Sequence, residues 1–102
     1  MASVQADLEK TAIHMKAVAA MDWVSETVRA MVDHPGRIAV DRRIEGSSVE
    51  IVCYCATQDD MGKLIGKQGR NARCIRTLLN ARGRTEGVAY RFDIELASEL
   101  VQ

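Results

Sequence analysis

The chain has 102 residues, of which 47% are apolar and 27% charged, with a single proline and no low-complexity tract. This is the composition of one globular domain and excludes a disordered chain. Fourteen basic residues balance fourteen acidic ones, and a formal net charge of zero argues against a uniformly basic nucleic-acid binder. Apolar runs such as Ala17-Val18-Ala19-Ala20-Met21 are far short of the roughly 18 residues that span a bilayer, so no membrane association is expected. The early acids Asp7 and Glu9, with no basic residue before Lys10, do not read as a secretory signal. Three cysteines do not make a disulfide framework, so a reducing, cytoplasmic setting is expected.

In chain order, residues 1–20 form an N-terminal extension. It reads either as an unordered terminus or as a loose helix carrying Leu8, Ala12 and Met15. A helix is clear from Ala17, where Met21, Val24, Val28, Met31 and Val32 follow a 3.6-residue period. It should stop over Val32-Asp33-His34-Pro35-Gly36, because Pro35 drives His34 out of helical dihedrals. Two strands are predicted next, Arg37–Ile44 and Val49–Ala56, joined by the turn Glu45-Gly46-Ser47-Ser48. The inward face of the second is ambiguous: Val49, Ile51, Cys53 and Cys55 compete with Val52, Tyr54 and Ala56. A strand apolar on both faces is usually a central one.

Thr57 reads as the cap of a short helix that ends at Ile65. A second helix runs from about Arg70 to Arg82 on Ala72, Ile75 and Leu79, with Gly83 placed to end it. In the last strand Val88, Tyr90, Phe92, Ile94 and Leu96 alternate with polar residues. The predicted order is α-β-β-α-α-β, an α+β domain over residues 21–97 with a three-stranded mixed sheet, helices packed on one face, and a tail at 98–102.

The chemistry concentrates between the two short helices, in Met61-Gly62-Lys63-Leu64-Ile65-Gly66-Lys67-Gln68-Gly69-Arg70. A bare G-x-x-G is weak by itself, and a plain helix–helix turn explains its spacing equally well. Yet glycine lets another backbone come close, and the unsatisfied amides that open the following helix suit a phosphate. The charge map tips the balance. Residues 61–91 carry a net charge of +7, with Lys63, Lys67, Arg70, Arg73 and Arg76 around the loop, whereas residues 1–60 carry −4 and residues 92–102 carry −3. Arg70, Arg73 and Arg76 fall largely opposite the apolar line of their helix. A basic face without acids points to nucleic-acid phosphates.

Ile65-Gly66-Lys67-Gln68-Gly69 with Arg70, Ala72, Ile75 and Arg76 resembles the core of a KH domain, in which a G-x-x-G loop clamps the backbone of about four single-stranded nucleotides. The element order resembles the prokaryotic type II arrangement. Val32-Asp33-His34-Pro35, Asp60-Met61-Gly62-Lys63 and Ile75-Arg76-Thr77 narrow the likeness to the small stand-alone bacterial KH proteins of the KhpA type, over roughly Met21 to Leu96. The resemblance implies a cytoplasmic, non-enzymatic protein that binds single-stranded RNA in the manner of an RNA chaperone and influences cell elongation and division. It implies a homodimer, or a heterodimer with a KhpB (Jag/EloR)-type partner. It implies phosphate contact by Gly66, Lys67, Gln68, Gly69 and Arg70, with Lys63, Arg73 and Arg76 alongside. Bases would rest on an apolar floor of Leu64, Ile65, Ala72 and a residue of the second strand. It also implies that Val52, Tyr54 and Ala56 face the core, leaving Cys53 and Cys55 on the open face. An alternative is a protein-interaction module that docks on a larger RNA-binding partner, with RNA contact secondary.

Other candidates carry less. Cys53 and Cys55 are two apart on a strand, with no further ligand at metal spacing, so no metal or other cofactor is expected. The glycine loop lacks the Walker spacing and its Ser/Thr. Neither His14 nor His34 has an acid or thiol arranged for catalysis, so no catalytic residue is assigned. Trp23 lies off the helix stripe, at the edge of the core or at a partner interface.

Overall fold

A computed structural model describes residues 2–97; the tail assigned to 98–102 lies outside the described residues. Helix α1 runs from Ala2 to Arg29, so the extension adopts the helical alternative and is continuous with the domain's first helix. Its buried line is Ala17, Ala20, Val24 and Val28, all fully buried. The expected stripe is thus shifted: Met21 is half-buried beside the line, while Met31 and Val32 pack partly on the core from beyond the helix. The small alanine side chains let the helix backbone lie close on the sheet. Trp23 edges the core, half-buried. The helix also ends earlier than predicted. Met31 N–H turns back to the Val28 carbonyl at 3.1 Å, and Arg29 Nη2 donates to the Ile38 carbonyl at 2.9 Å. A single 3-10 turn at Pro35–Arg37 then delivers the chain into the sheet.

Strand β1 (Ile38–Glu45) pairs antiparallel with β2 (Ser48–Cys55), which pairs parallel with β3 (Ala89–Leu96), in the order β1-β2-β3. The crossover runs through α2 (Gln58–Ile65) and α3 (Arg70–Glu86), and the helices pack on one face, as expected. The face of β2 is the reverse of what the resemblance implied. Val49, Ile51, Cys53 and Cys55 are fully buried, whereas Val52 and Tyr54 are half-buried on the open face. Register decides it: Val49 lies opposite Tyr90 and Ile51 opposite Phe92, and with a period of two the whole set follows those buried aromatics. Of the other set only Ala56, just past the strand, is buried.

The α3 helix runs a turn beyond Arg82, because Gly83 is not its stop. A Cβ on Gly83 would lie 2.2 Å from the Val88 carbonyl oxygen and 3.3 Å from the Tyr90 ring. Glycine is needed there for close packing, and Gly87 ends the helix, its N–H bonded to the Gly83 carbonyl at 2.8 Å. The same corner anchors α1. Lys16 Nζ donates to the Glu86 carbonyl at 2.9 Å, Tyr90 Oη to Glu86 Oε1 at 2.5 Å, and Arg82 Nε to Glu86 Oε2 at 2.9 Å. Burial and the Glu86 carboxylate raise the Tyr90 hydroxyl well above its ordinary pKa. Packing against the core extends back along α1 as far as Ile13.

Gly83→Ala should overpack this corner and lower stability by about 1–3 kcal/mol. Arg84→Ala, on the exposed face one residue on, should stay within about 0.5 kcal/mol. Urea unfolding followed by circular dichroism measures both.

Candidate nucleic-acid interface

Thr57 caps α2 as predicted, its Oγ1 accepting the Asp60 N–H at 3.2 Å. Asp60 itself is 1% exposed. Its carboxylate accepts the Asp33 N–H at 3.2 Å and the His34 Nδ1–H at 3.3 Å. One turn further on, Lys63 Nζ pairs with the Asp33 carboxylate. The α1–β1 connector is thereby tied to the length of α2. The Lys63 pair holds the Asp33 carboxyl below its ordinary value near 3.8 and the Lys63 ammonium above 10.5.

At the other end of α2, Gly66 takes φ +79° and ψ 170° while its N–H bonds the Gly62 carbonyl at 2.8 Å. A Cβ here would meet the Asn71 side chain at 2.7 Å and its backbone nitrogen at 2.9 Å. Both dihedral and space therefore demand glycine. Asn71 fills that space to donate from Nδ2 to the Lys63 carbonyl at 2.8 Å, satisfying an orphan acceptor at the end of α2. Lys67–Gly69 form one 3-10 turn, with Gln68 at φ 58° and Gly69 at φ 74°. Arg73 Nη2 reaches back to the Gln68 carbonyl at 2.8 Å. Gly69 stands at the N-cap of α3 with no side-chain hydrogen bond to close it. Gly69 N–H is spent on the Gly66 carbonyl and Arg70 N–H on the Lys67 carbonyl, so what faces the loop is the positive end of a 17-residue helix.

Among the expected contact residues, Lys67, Gln68 and Arg70 are exposed at the turn. Gly66 and Gly69 shape it, Arg73 braces it, and Lys63 stands beside it in its pair with Asp33. Arg76 points elsewhere: its Nε donates to the Phe92 carbonyl at 3.1 Å, with Cζ 6.0 Å from the Phe92 ring centroid. Leu64 is fully buried and Ala72 is 3% exposed, so of the three residues expected to form an apolar floor only Ile65 reaches solvent.

The second strand offers no edge to a ligand, because β2 is paired on both sides. Of the sheet's two outer edges, on β1 and β3, the one beside α3 belongs to β3. Ala89 and Ala97 send their N–H groups to Ser47 and Cys55. By alternation, Tyr90, Phe92 and Ile94 turn theirs outward. Between this edge and α3 lies an open cleft of about 430 Å³, lined by Arg76, Asn80, Tyr90, Arg91, Phe92 and Asp93 among others. Asn71, Asp33 and the β3 edge are the parts that sequence reasoning missed. Asn71 follows the glycine loop directly, but only the folded distance shows its role.

The thiols of Cys53 and Cys55 are buried, not on the open face; burial pushes Cys53 up to about 12 and raises Cys55 as well. Cys74 is exposed on α3. Among the described residues no three His, Cys, Asp or Glu side chains come together as metal ligands, and no helix is long and apolar enough to cross a membrane.

Two helices joined by a Gly-x-x-Gly turn and laid on a mixed three-stranded sheet, with an extra helix and strand in front, define a KH domain of the type II order. The family described as "KhpA/KhpB, KH domain" matches residues 21–94, and the chain belongs to that family. A relative from Treponema pallidum is 38% identical over 73 residues, covering 72% of this chain and 90% of that protein. One from Halalkalibacterium halodurans is 38% identical over 71 residues, covering 70% and 92%. One from Caldanaerobacter subterraneus is 42% identical over 60 residues, covering 59% and 79%. Each of these three bears the name RNA-binding protein KhpA. No solved structure gives a match.

Two outcomes test this geometry. A carboxyl whose folded pKa is depressed adds stability above its unfolded pKa and loses it as pH falls through the folded value. Lys63→Met should therefore bring the Asp33 midpoint, followed by carboxyl NMR, up to the ordinary value near 3.8; an unmoved midpoint would deny the pair. In the native protein a disulfide reagent should modify Cys74 rapidly, while Cys53 and Cys55 react only after denaturant is added.

Proposed function

We propose that the protein binds single-stranded RNA without catalysing a reaction, and that it works in the cytoplasm in the manner of an RNA chaperone. Phosphates meet the positive end of α3, with Lys67 and Arg70 beside it. Bases turn toward Ile65 and the outward edge of β3. The observation that supports this most is the positive end of α3, set against an exposed turn held by Gly66 and Gly69. The names borne by its relatives support it as well. Lys63 and Arg73 add positive charge from braced positions, and Arg76 stands between the loop and the cleft. With Tyr90 and Phe92 buried, no aromatic platform stacks the bases, so sequence preference should be modest.

The decisive variant leaves both glycines in place. Lys67→Asp with Gln68→Asp sets two carboxylates where phosphates should sit, and aspartate tolerates the left-handed dihedrals of Gln68. Circular dichroism checks the fold, and fluorescence anisotropy with a labelled single-stranded RNA reads binding across a salt series. Affinity should fall about tenfold or more, and the salt slope should shrink by about 0.7 for each phosphate no longer neutralised. Unchanged affinity and slope would remove the reading.

A second reading, a protein-docking module for a KhpB-type partner, is favoured by one surface. On α3, Leu78 is 55% exposed and lines an apolar depression with Cys74 and Thr77, beside Arg70 and Arg73.

A further inference from the structure

Residues 3–12 of α1 are exposed throughout, and they precede the part of the chain that the family match covers. They carry a second apolar line. Val4, Leu8 and Met15 are 59%, 61% and 67% exposed. Thr11 completes the line and spends its hydroxyl on the Asp7 carbonyl at 3.0 Å, which leaves its methyl outward. At 100° per residue these four positions fall within about 60° of each other, on the side of the helix opposite Ala17, Ala20, Val24 and Val28. Their spacing of four, three and four residues is that of a helix–helix seam. The line continues through half-buried Val18 and then meets the exposed acids Asp22 and Glu26.

We propose that this line is the seam of an antiparallel helix pair formed with a second copy of the chain, a reading independent of RNA binding. A two-fold axis between Glu9 and Lys10 stacks Val4 on Met15 of the second copy and Leu8 on Thr11 of the second copy. In that register the exposed residues 3–12 of each copy lie along residues 7–16 of the other. The seam faces away from the chain's own sheet, so the two domains lie on outer sides without collision.

The flanking charges select the antiparallel arrangement. Asp7 and His14 border the seam on the same side, and antiparallel packing brings Asp7 of each copy beside His14 of the other. Arg42 Nη2 donates to His14 Nε2 at 3.2 Å. His14 Nδ1–H is thus left to donate to that carboxylate, with the Arg42 charge behind it. On the other border Gln5 and Ala12 bring no like charges together. A parallel pair would set Asp7 against Ala12 and stack Thr11 on Thr11, with no charged partner. Four short layers fall at the small end of specific interfaces, below about 1,200 Å² in total, so the pair should be concentration-dependent.

Sedimentation velocity on the full chain without RNA, in a Cys74→Ser background, tests the pair. The weight-average mass should climb from 11.3 kDa toward twice that value with concentration. Leu8→Glu, on an exposed position, should hold it at the monomer mass while circular dichroism shows the fold intact. Under mild oxidation, Val4→Cys mixed with Met15→Cys should give a disulfide-linked dimer that neither variant gives alone. A chain that stays monomeric at every concentration, or a dimer that survives Leu8→Glu, overturns the proposal. Self-linking of Val4→Cys overturns the antiparallel seam.

Discussion

The loop depends on a buried carboxylate that sits at the far end of α2. Asp60 gives both its oxygens to the α1–β1 connector while its own N–H closes the cap on Thr57. A buried charge deprived of its partners is strongly destabilising, so the satisfied arrangement holds the start of α2 in one place. The Lys63–Asp33 pair then fastens the next turn of α2 to the same connector, and Asn71 fastens the Lys63 carbonyl of α2 to the first turn of α3. Each step uses a side chain on a regular element or its flank, which is how a short turn between two helices acquires a defined shape.

That shape explains how the positive charge is deployed. Arg73 is held on the Gln68 carbonyl and Arg76 on the Phe92 carbonyl, and both keep their charge while spending donors on the fold. Lys63 is partly neutralised by Asp33. Lys67 and Arg70 remain as exposed cations at the mouth of the turn. A loop already built and braced would lose little conformational freedom on taking a phosphate at the proposed site. The zero net charge of the chain conceals this, because the acids lie mainly on segments before and after the basic stretch.

Much of the fold is legible in the sequence because its signals are local. The Thr57 cap, the alternation of β3 from Tyr90 to Ile94 and the glycines of the loop each act within a few residues, and each holds in the structure. The end of α1 does not, because the chain leaves the helix at Arg29, before Pro35 can break it, and Leu96 is exposed at the end of β3. The failures share one cause, which is dependence on a distant neighbour. The face of β2 is ambiguous in sequence because both residue sets are apolar, and only pairing with Tyr90 and Phe92 chooses between them. Gly83 carries the ordinary signature of a helix stop, but the approach of Val88 makes it an interior contact. The sequence stripe on α1 follows its larger side chains, whereas the sheet accepts the small ones. Within the candidate site, the motifs around Asp33 and Asp60 carry the family resemblance, yet nothing in their spacing says that they touch. Arg76 looks equivalent to Arg70 and Arg73 on a helical wheel; the Phe92 carbonyl, 16 residues away, draws it to the sheet.

The two ends of the molecule separate two tasks. The loop opens at the start of α3, whereas Lys16, the hairpin at Gly46 and Ser47, and the end of α3 at Glu86 gather at the other end. Seventeen helical residues put about 25 Å between them. Helix α1 projects from the end away from the loop, so pairing through its outer seam leaves the turn, α3 and the β3 edge uncovered. A two-fold pair would then present two loops facing outward from a shared axis. If the proposed RNA contact and the proposed pair both hold, one RNA strand long enough to reach both loops would meet the second at a raised effective concentration. Weak, salt-sensitive binding at each loop would thus be strengthened by geometry, without any further grip on the bases.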